Sequence, residues 1–403
     1  MYLTLSWRNI WRSKRRTLIV VASIFFALIL AIVMRSGQLG SYNFMIHSSA
    51  KLFTGYVQVQ GKGFWDNRSL DKSMVMDPEK LKQLEQIDHL SSYTPRLEGF
   101  SLVSFQKNTR VSQIIGVSPE SENEMTEIKK RLSRGKFLEE NDPGILLGEG
   151  LARLLEVSLG DSIVLYGQGF QGQTAAAMLP VKGLVKLPFS QMNNGMVFMS
   201  LQKAQHFFLA ENRITSLPIM VEKIKYLDNV KKQVQEIFPE HDIKTWDEMM
   251  PELKQNIQVD NASGLIMIGI LYVVIAFGVF GTVMMMVSER KREFGILVSV
   301  GMHKAKLMIV TIFESVFISI LGVISGIIGS IPFIYYLYSH PIRLSGGAAE
   351  AYDKLGIEPI MAFSNSPSIF WGQALVVFVI ALITILYPVL FIRKLEPVES
   401  FRR

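Results

Sequence analysis

The stretch Ser288-Glu289-Arg290-Lys291-Arg292-Glu293-Phe294-Gly295-Ile296-Leu297-Val298-Ser299-Val300-Gly301 decides how the rest of the chain is read. Charged residues crowd its first half. Phe294, Ile296, Leu297 and Val300 then supply an apolar surface, and Gly301 supplies a stop. A short amphipathic helix fits this pattern, closed by a glycine that turns where other residues are strained. A plain basic hairpin between two membrane spans would account for the charge alone. Apolar side chains beside mixed charge go further, because they suit docking of a helix into a protein groove.

Long apolar runs flank this segment. Leu265–Val287 precedes it and Leu307–Tyr338 follows, with Thr17–Met34 and Ile369–Ile392 further out. Each suits a helix crossing a ~30 Å hydrocarbon core, which takes about 20 residues. Composition agrees: 49% of residues are hydrophobic and 19% charged, against roughly 25% charged in soluble domains. Thr17–Met34 outruns the apolar region of a cleavable signal, about 7–15 residues ending in small side chains. It ends Ile32-Val33-Met34-Arg35 and is read as a retained anchor. Leu307–Tyr338 reaches roughly 48 Å at about 1.5 Å per residue, so it is expected to tilt, break or protrude. Gly322, Gly326, Gly329 and Pro332 mark where it could bend, and Gly322 with Gly326 forms a G-x-x-x-G step that permits close helix contact.

The formal net charge of +7 is unevenly placed. Arg8, Arg12, Lys14, Arg15 and Arg16 precede the first span without an acidic neighbour. Arg290, Lys291, Arg292, Lys304 and Lys306 outnumber Glu289 and Glu293 in the link. Arg393, Lys394, Arg402 and Arg403 outnumber Glu396 and Glu399 in the tail. The loop between the third and fourth spans has only Arg343 and Lys354 as cations. Basic flanks stay cytoplasmic. Both termini and the 288–306 link are therefore expected inside, and 38–260 with 339–368 outside. Topology explains the basic excess without a nucleic-acid partner. Trp7, Trp11, Tyr335, Tyr336 and Trp371 fall near the interfaces, where amphipathic rings are favoured.

The expected order is a cytoplasmic amphipathic helix (1–16), spans at 17–37, 262–287, 307–338 and 369–392, an extracytoplasmic domain (38–260), the link (288–306), an outer loop (339–368) and a tail (393–403). In the first helix Leu3, Trp7, Ile10 and Trp11 would share one face, fit for the headgroup layer; an ordinary basic flank is the alternative. The large domain reads as α+β. Residues 56–60 alternate like a half-buried strand, and 100–117 holds further strand-like runs. Strands are expected at 162–166, 181–185 and 196–199, and helices at 149–156, 201–209 and 227–238. Residues 247–259 are expected to form a helix that continues unbroken into the second span.

The chain has no phosphate-binding G-x-x-x-x-G-K-[ST] loop, no H-E-x-x-H and no G-x-S-x-G, so ATP hydrolysis and the common hydrolytic chemistries lack their residues. No cysteine is present, which removes disulfides and thiolate chemistry. The six histidines are scattered and read as structural or surface residues. Only Glu314 places a carboxylate within a span, which disfavours an ion relay, since such relays need several. It is expected to reach the interface or a basic partner from the inner segments.

At these residues the chain resembles the FtsX/MacB-like permeases of ABC transporters, whose mark after the second of four spans is E-R-x-x-E-x-G-x-L-x-x-x-G. Glu289, Arg290, Glu293, Gly295, Leu297 and Gly301 are in register, and Val298 stands where the family often has Arg. Glu314, Trp7-Arg8-Asn9, Arg15-Arg16 and Leu395-Glu396-Pro397-Val398-Glu399 also match. The resemblance implies a fold and a set of partners. The fold is a four-helix membrane part carrying a porter-type α+β domain with an inserted subdomain. The partners are two copies of an ABC ATPase, which bind the ATP and Mg, and a second permease subunit, the same or homologous. Residues 289–301 would be the coupling helix, with Glu289, Arg290, Arg292, Glu293, Phe294, Gly295, Leu297 and Gly301 acting on the ATPase. Motion, not substrate, would cross the bacterial inner membrane.

Ile115-Gly116-Val117-Ser118-Pro119, Gly135, Leu147-Gly148-Glu149-Gly150-Leu151-Ala152 and Leu159-Gly160-Asp161 are similar to the lipoprotein-releasing permeases, which usually read G-V-D-P where Ser118 stands here. That implies a hook for a periplasmic carrier over 186–195, at Lys186, Pro188, Phe189 and Asn194, unless this is a plain surface loop. A greasy groove for the lipoprotein would involve Val20, Phe25, Phe26 and Leu30, unless these simply face lipid. The outer segment is too short for a long drug-efflux stalk. Release of lipoproteins leads the expected functions. Export of a periplasmic peptide, toxin or antibiotic is an alternative, as is regulation of a partner such as a cell-wall hydrolase. An enzymatic role has no supporting constellation.

Overall fold

The computed structural model describes residues 2–354 and 358–394. The closing 395–399 motif and the tail charges after it lie outside the described residues. The chain divides into a membrane unit (Met1–Tyr42, Asn256–Arg343, Ile360–Arg403) and an α+β unit (Asn43–Gln255, Leu344–Pro359).

Among the described residues four helices are long and apolar enough to cross a membrane: Lys14–Thr54, Pro251–Glu289, Lys304–Ser339 and Pro367–Lys394. They are called spans one to four. Ile24, Leu28, Val279, Val283, Ile318 and Val377 are among the side chains they bury against one another. Span three carries the small residues that let span one approach. A Cβ at Gly322 would lie 2.7 Å from Ile24 Cβ, and one at Gly329 would lie 2.5 Å from the Phe25 ring. The helix runs unbroken from Lys304 to Ser339 with Pro332 inside it, so the expected bend points do not interrupt it. Span four was expected to be a single helix; it divides into Pro367–Thr384 and Leu386–Lys394. Pro388 lacks the N–H that would bond the Thr384 carbonyl, which accounts for the step. Spans one and two meet at Tyr42, whose hydroxyl donates to Asp260 at 2.5 Å and accepts from Gln38 at 2.9 Å.

The N-terminal helix, Tyr2–Arg12, packs along span three. Ile10 is buried, and Ser6 Oγ donates to the Val310 carbonyl at 3.0 Å. Leu3, Trp7 and Trp11 stay exposed, with the Trp7 ring edge-on to Phe317 at 5.8 Å. The four residues fall on one side of the helix, and span three takes Ile10 and meets the Trp7 ring.

The α+β unit is built on one eleven-stranded sheet. Arg96–Phe105 and Asn108–Val117 form its long hairpin, in register from Arg96 opposite Val117 to Phe105 opposite Asn108. Ser162–Gln168 joins Arg96–Phe105 and also pairs with Thr174–Val185. Leu97, Val103, Ile114, Leu147, Ile163 and Phe208 fill one core, and Ile115, Leu146, Val185, Phe189 and Phe198 another. Helices Glu149–Leu155, Leu201–Phe207 and Leu227–Ile237 stand close to where the sequence places them.

Two expectations fail here for physical reasons. Val57–Gln60 is buried on both faces, not half-buried. It lies between Ser216–Val221 and Asp242–Thr245, and its Gln58 and Gln60 side chains are enclosed, with side-chain atoms that have no hydrogen-bond partner among the described residues. The helix expected over 247–259 is broken at Met250 (φ −122, ψ 63). Trp246–Met249 is a short helix closed by a Thr245/Glu248 capping box, and Pro251 opens span two. A proline suits that first position, where its missing N–H is not needed.

Arg96 ties the end of span one into this sheet. Span one widens into a π-turn over Ala50–Thr54, and Gly55 (φ +67) ends it. Arg96 donates through Nη1 to the Phe53 carbonyl at 2.6 Å, and through Nε and Nη2 to Glu122 at 2.8 and 2.7 Å. Burial alone would lower the guanidinium pKa; the Glu122 carboxylate outweighs it and raises the pKa above its ordinary value. Arg131 holds Glu358, from the loop after span three, at 2.9 Å.

Candidate coupling site

The link between spans two and three forms a helix over Lys291–Ser299, with Arg290 at its N-cap. Its end is a Schellman turn. The Met302 N–H reaches the Leu297 carbonyl at 3.0 Å, the Gly301 N–H reaches Val298 at 3.1 Å, and Gly301 takes φ +103. Span three starts at once, at Lys304. A one-turn stop of this kind holds the helix at a defined angle between two spans.

The link helix shows two faces. Ile296 and Leu297 are exposed and Val300 is 82% exposed, beside exposed Lys291 and Arg292. Phe294 was expected on this face and is not: it is 1% exposed, inside the helix core, and Gly295 is buried with it. Nine residues make about two and a half turns, and Phe294 falls on the side that meets the bundle. Over 289–300 the exposed residues are Glu289, Lys291, Arg292, Ile296, Leu297, Ser299 and Val300.

Beneath that surface lies a buried ion pair. Arg290 is 6% exposed and Glu314 is 1% exposed. Arg290 Nη1 donates to Glu314 Oε1 at 2.6 Å, and Nε donates to Glu293 Oε2 at 3.4 Å. The guanidinium also lies 5.1 Å from the centre of the Phe294 ring. Glu314 thus finds its basic partner in the link. Two residues read from sequence only as basic flank also join. Arg12 stands 3.5 Å from Glu293, and Arg16 stands 3.7 Å from Glu289 and 3.9 Å from Glu293. Nothing in the spacing of residues 12 and 289–293 signals that contact, since it arises from helix packing. These outer pairs are half-exposed and worth about 0–1 kcal/mol each, so they orient more than they bind.

The remaining site expectations fare unevenly. In the hook segment Lys186 and Asn194 are exposed and Pro188 is half-buried. Phe189 is 2% exposed and stacks on Phe53 at 5.8 Å, so it is a core residue and does not face a carrier. Ser190–Gly195 is helical, and Asn193 Oδ1 accepts from the Leu187 N–H at 3.1 Å. Among the groove candidates Phe26 and Leu30 are exposed. Within this chain Val20 packs in the helix core, and Phe25 is half-buried and packs against Gly329. Among the described residues no three His, Asp or Glu side chains converge as a metal site.

Comparison with known proteins gives the same outline. Residues 17–237 match the family model of the MacB-like periplasmic core domain, and residues 265–397 match that of the FtsX-like permease C-terminal region. The lipoprotein-releasing system transmembrane protein LolC of Xylella fastidiosa is 20% identical over 322 residues, 76% of each chain. LolC of Neisseria meningitidis is 22% identical over 281 residues, 66% of this chain and 65% of that one. An uncharacterized ABC transporter permease of Methanocaldococcus jannaschii is 19% identical and covers 99% of this chain and 97% of its own. Among solved structures, the periplasmic region of MacB from Actinobacillus actinomycetemcomitans is 14% identical with a TM-score of 0.36, covering 50% of this chain and 91% of that one. The extracellular domain of the transporter YknZ from Gram-positive bacteria is 12% identical with a TM-score of 0.33, covering 46% and 91%. Four membrane helices carry an α+β domain, and the two family models together account for most of the chain; it belongs to the FtsX/MacB-like ABC transporter permeases, which lack an ATPase of their own and work with an ATPase partner.

Proposed function

We propose that this chain is the permease subunit of a machine that releases lipoproteins from the bacterial inner membrane to a carrier. ATP and Mg are held by two ATPase subunits, a second permease subunit, the same or homologous, completes the pair, and both termini lie in the cytoplasm. The observation that carries the reading is the link helix: it offers Ile296, Leu297 and Val300 with Lys291 and Arg292, and its root is held by Arg290 and Glu314. That surface suits a groove on an ATPase, with apolar anchors and a basic rim. The similarity to LolC supports lipoprotein as the substrate. Lys186, Pro188 and Asn194 remain the hook residues for a carrier.

The test is reconstitution. The permease, purified with its ATPase and placed in proteoliposomes loaded with an acylated lipoprotein, is expected to hand that lipoprotein to soluble carrier only with hydrolysable ATP. A soluble peptide or antibiotic exported in its place would favour export, and activation of a wall hydrolase without any cargo would favour regulation. Cysteines placed in 38–260 are expected to react with an impermeant label from outside; reaction from the side of the N-terminus would end the coupling scheme.

A further inference from the structure

Arg290 is divided between two carboxylates of unequal setting. Glu314 is buried and receives Nη1 at 2.6 Å, whereas Glu293 has a half-exposed side chain and receives Nε at 3.4 Å. Glu293 has further partners, Arg12 at 3.5 Å and Arg16 at 3.9 Å. Glu314 Oε2 is buried with no hydrogen-bond partner among the described residues. An enclosed carboxylate oxygen without a donor is unfavourable. A guanidinium is a planar fork whose paired N–H groups match both oxygens of one carboxylate. Here that fork is split. Turning it fully onto Glu314 would satisfy the orphan oxygen and release Glu293, which Arg12 and Arg16 already flank.

We propose that Arg290 is a positioning residue with two settings. In one it bridges Glu293 and Glu314, as seen here. In the other it grips Glu314 with both arms and leaves Glu293 to Arg12 and Arg16. Arg290 is the N-cap of the link helix, so the exchange changes the angle at which that helix leaves span two. A thrust on the link helix would be stored as a change of partner and not dissipated in a loose loop. This rests on the coupling role proposed above, and it adds the joint through which the link helix drives span three.

The alternative is that the pair is static packing, and the two differ in a measurable way. A buried ion pair serving only as packing can be replaced by apolar side chains of similar volume with little loss. The experiment uses the full permease–ATPase complex in nanodiscs, reading both thermal melting and the stimulation of ATPase turnover by lipoprotein. Wild type must show stimulation; its absence would refute the coupling role itself, before any variant is compared. R290M/E314L is expected to melt like wild type and lose about tenfold of the stimulation, within the usual range of coupling between sites. R290K keeps the charge without the fork and is expected to fall by about as much. Stable R290M/E314L or R290K complexes with stimulation within about twofold of wild type would overturn the two-setting joint.

If those buried variants do not assemble, two substitutions at accessible residues decide. E293Q removes the outer carboxylate and holds Arg290 on Glu314, whereas R12Q/R16Q leaves Glu293 to Arg290 and holds the shared setting. Both are expected to reduce stimulation. Normal stimulation in R12Q/R16Q would overturn the exchange and leave Glu293 as a plain contact.

Discussion

Adding one methyl group to span three at Gly322 or Gly326 should give unequal results, and the geometry says by how much. At Gly322 the new Cβ would stand 2.7 Å from Ile24 Cβ and 2.8 Å from its Cγ2. At Gly326 it would stand 2.9 Å from Leu28 Cδ2 and 3.1 Å from Leu28 Cβ. Carbon atoms pack best at about 3.5–4.0 Å, so span one must withdraw by nearly an ångström at the first site. Overpacking of this size costs about 1–3 kcal/mol, and the better helix propensity of Ala over Gly returns up to about 1 kcal/mol. Ile24 is branched at Cβ and stiff, whereas Leu28 presents the end of a rotatable chain. G322A is therefore expected to lose about 1–2 kcal/mol and G326A less than about 1 kcal/mol. Gly372 has open space around its Cβ position, so G372A is expected to be neutral or slightly stabilising. The assay is SDS-induced unfolding of the purified chain in micelles, with double-mutant cycles. L28A should relieve G326A by removing Cδ2, giving a coupling of roughly 1 kcal/mol, while I24A should not relieve G322A, because its Cβ remains. Equal stability of G322A and G372A, or equal couplings in the two cycles, would refute the close approach of spans one and three.

Three further outcomes follow from residues already described. G301A must hold φ near +103, at a cost of about 1–2 kcal/mol for an L-residue; amide exchange at residues 301–302 is expected to rise by roughly 5–30-fold, and an unchanged rate would remove the Schellman stop. R96M leaves Glu122 buried without its partner and is expected to destabilise the α+β unit by about 3–5 kcal/mol in calorimetry, with R96M/E122L recovering part of the loss; a single variant as stable as wild type would contradict the anchoring role. F189A should cost about 3–5 kcal/mol as a core truncation, whereas K186A should stay within about 0.5 kcal/mol. Carrier binding lost in K186A at full thermal stability would then report a contact.

The sequence is most legible where one physical rule acts alone. Four apolar runs and their basic flanks read directly as spans, because a hydrocarbon core admits little else. The link helix reads equally well, since Gly301 and the charge cluster bound it on both sides. Errors arise where tertiary partners decide. Val57–Gln60 alternates like a half-buried strand, yet neighbours on both sides enclose Gln58 and Gln60. Ile10 and Phe294 sit in amphipathic helices whose apolar residues could face lipid, a partner or the bundle; the bundle takes both. Phe189 looks like a docking anchor in a polar loop, but its ring is required by the core around Phe53. Pairing of Arg290 with Glu314 was half visible, as a buried carboxylate in search of a cation. The role of Arg12 and Arg16 was not, because no local pattern records which helices will be neighbours.

The two long helices that begin or end in the α+β unit are joined to it by different kinds of fitting. Span one arrives as a welded shaft: its last carbonyls are clamped by Arg96, and Glu122 locks the clamp in place. Span two departs through a swivel, a single non-helical residue at Met250 between a capped stub and Pro251. A torque on span one would meet the Arg96–Glu122 clamp at residues 50–54, whereas a torque on span two would meet the non-helical Met250. A glycine inserted beside Met250 is therefore expected to leave turnover intact and the same insertion within 50–54 to lower it; equal tolerance at both places would mean that neither joint steers.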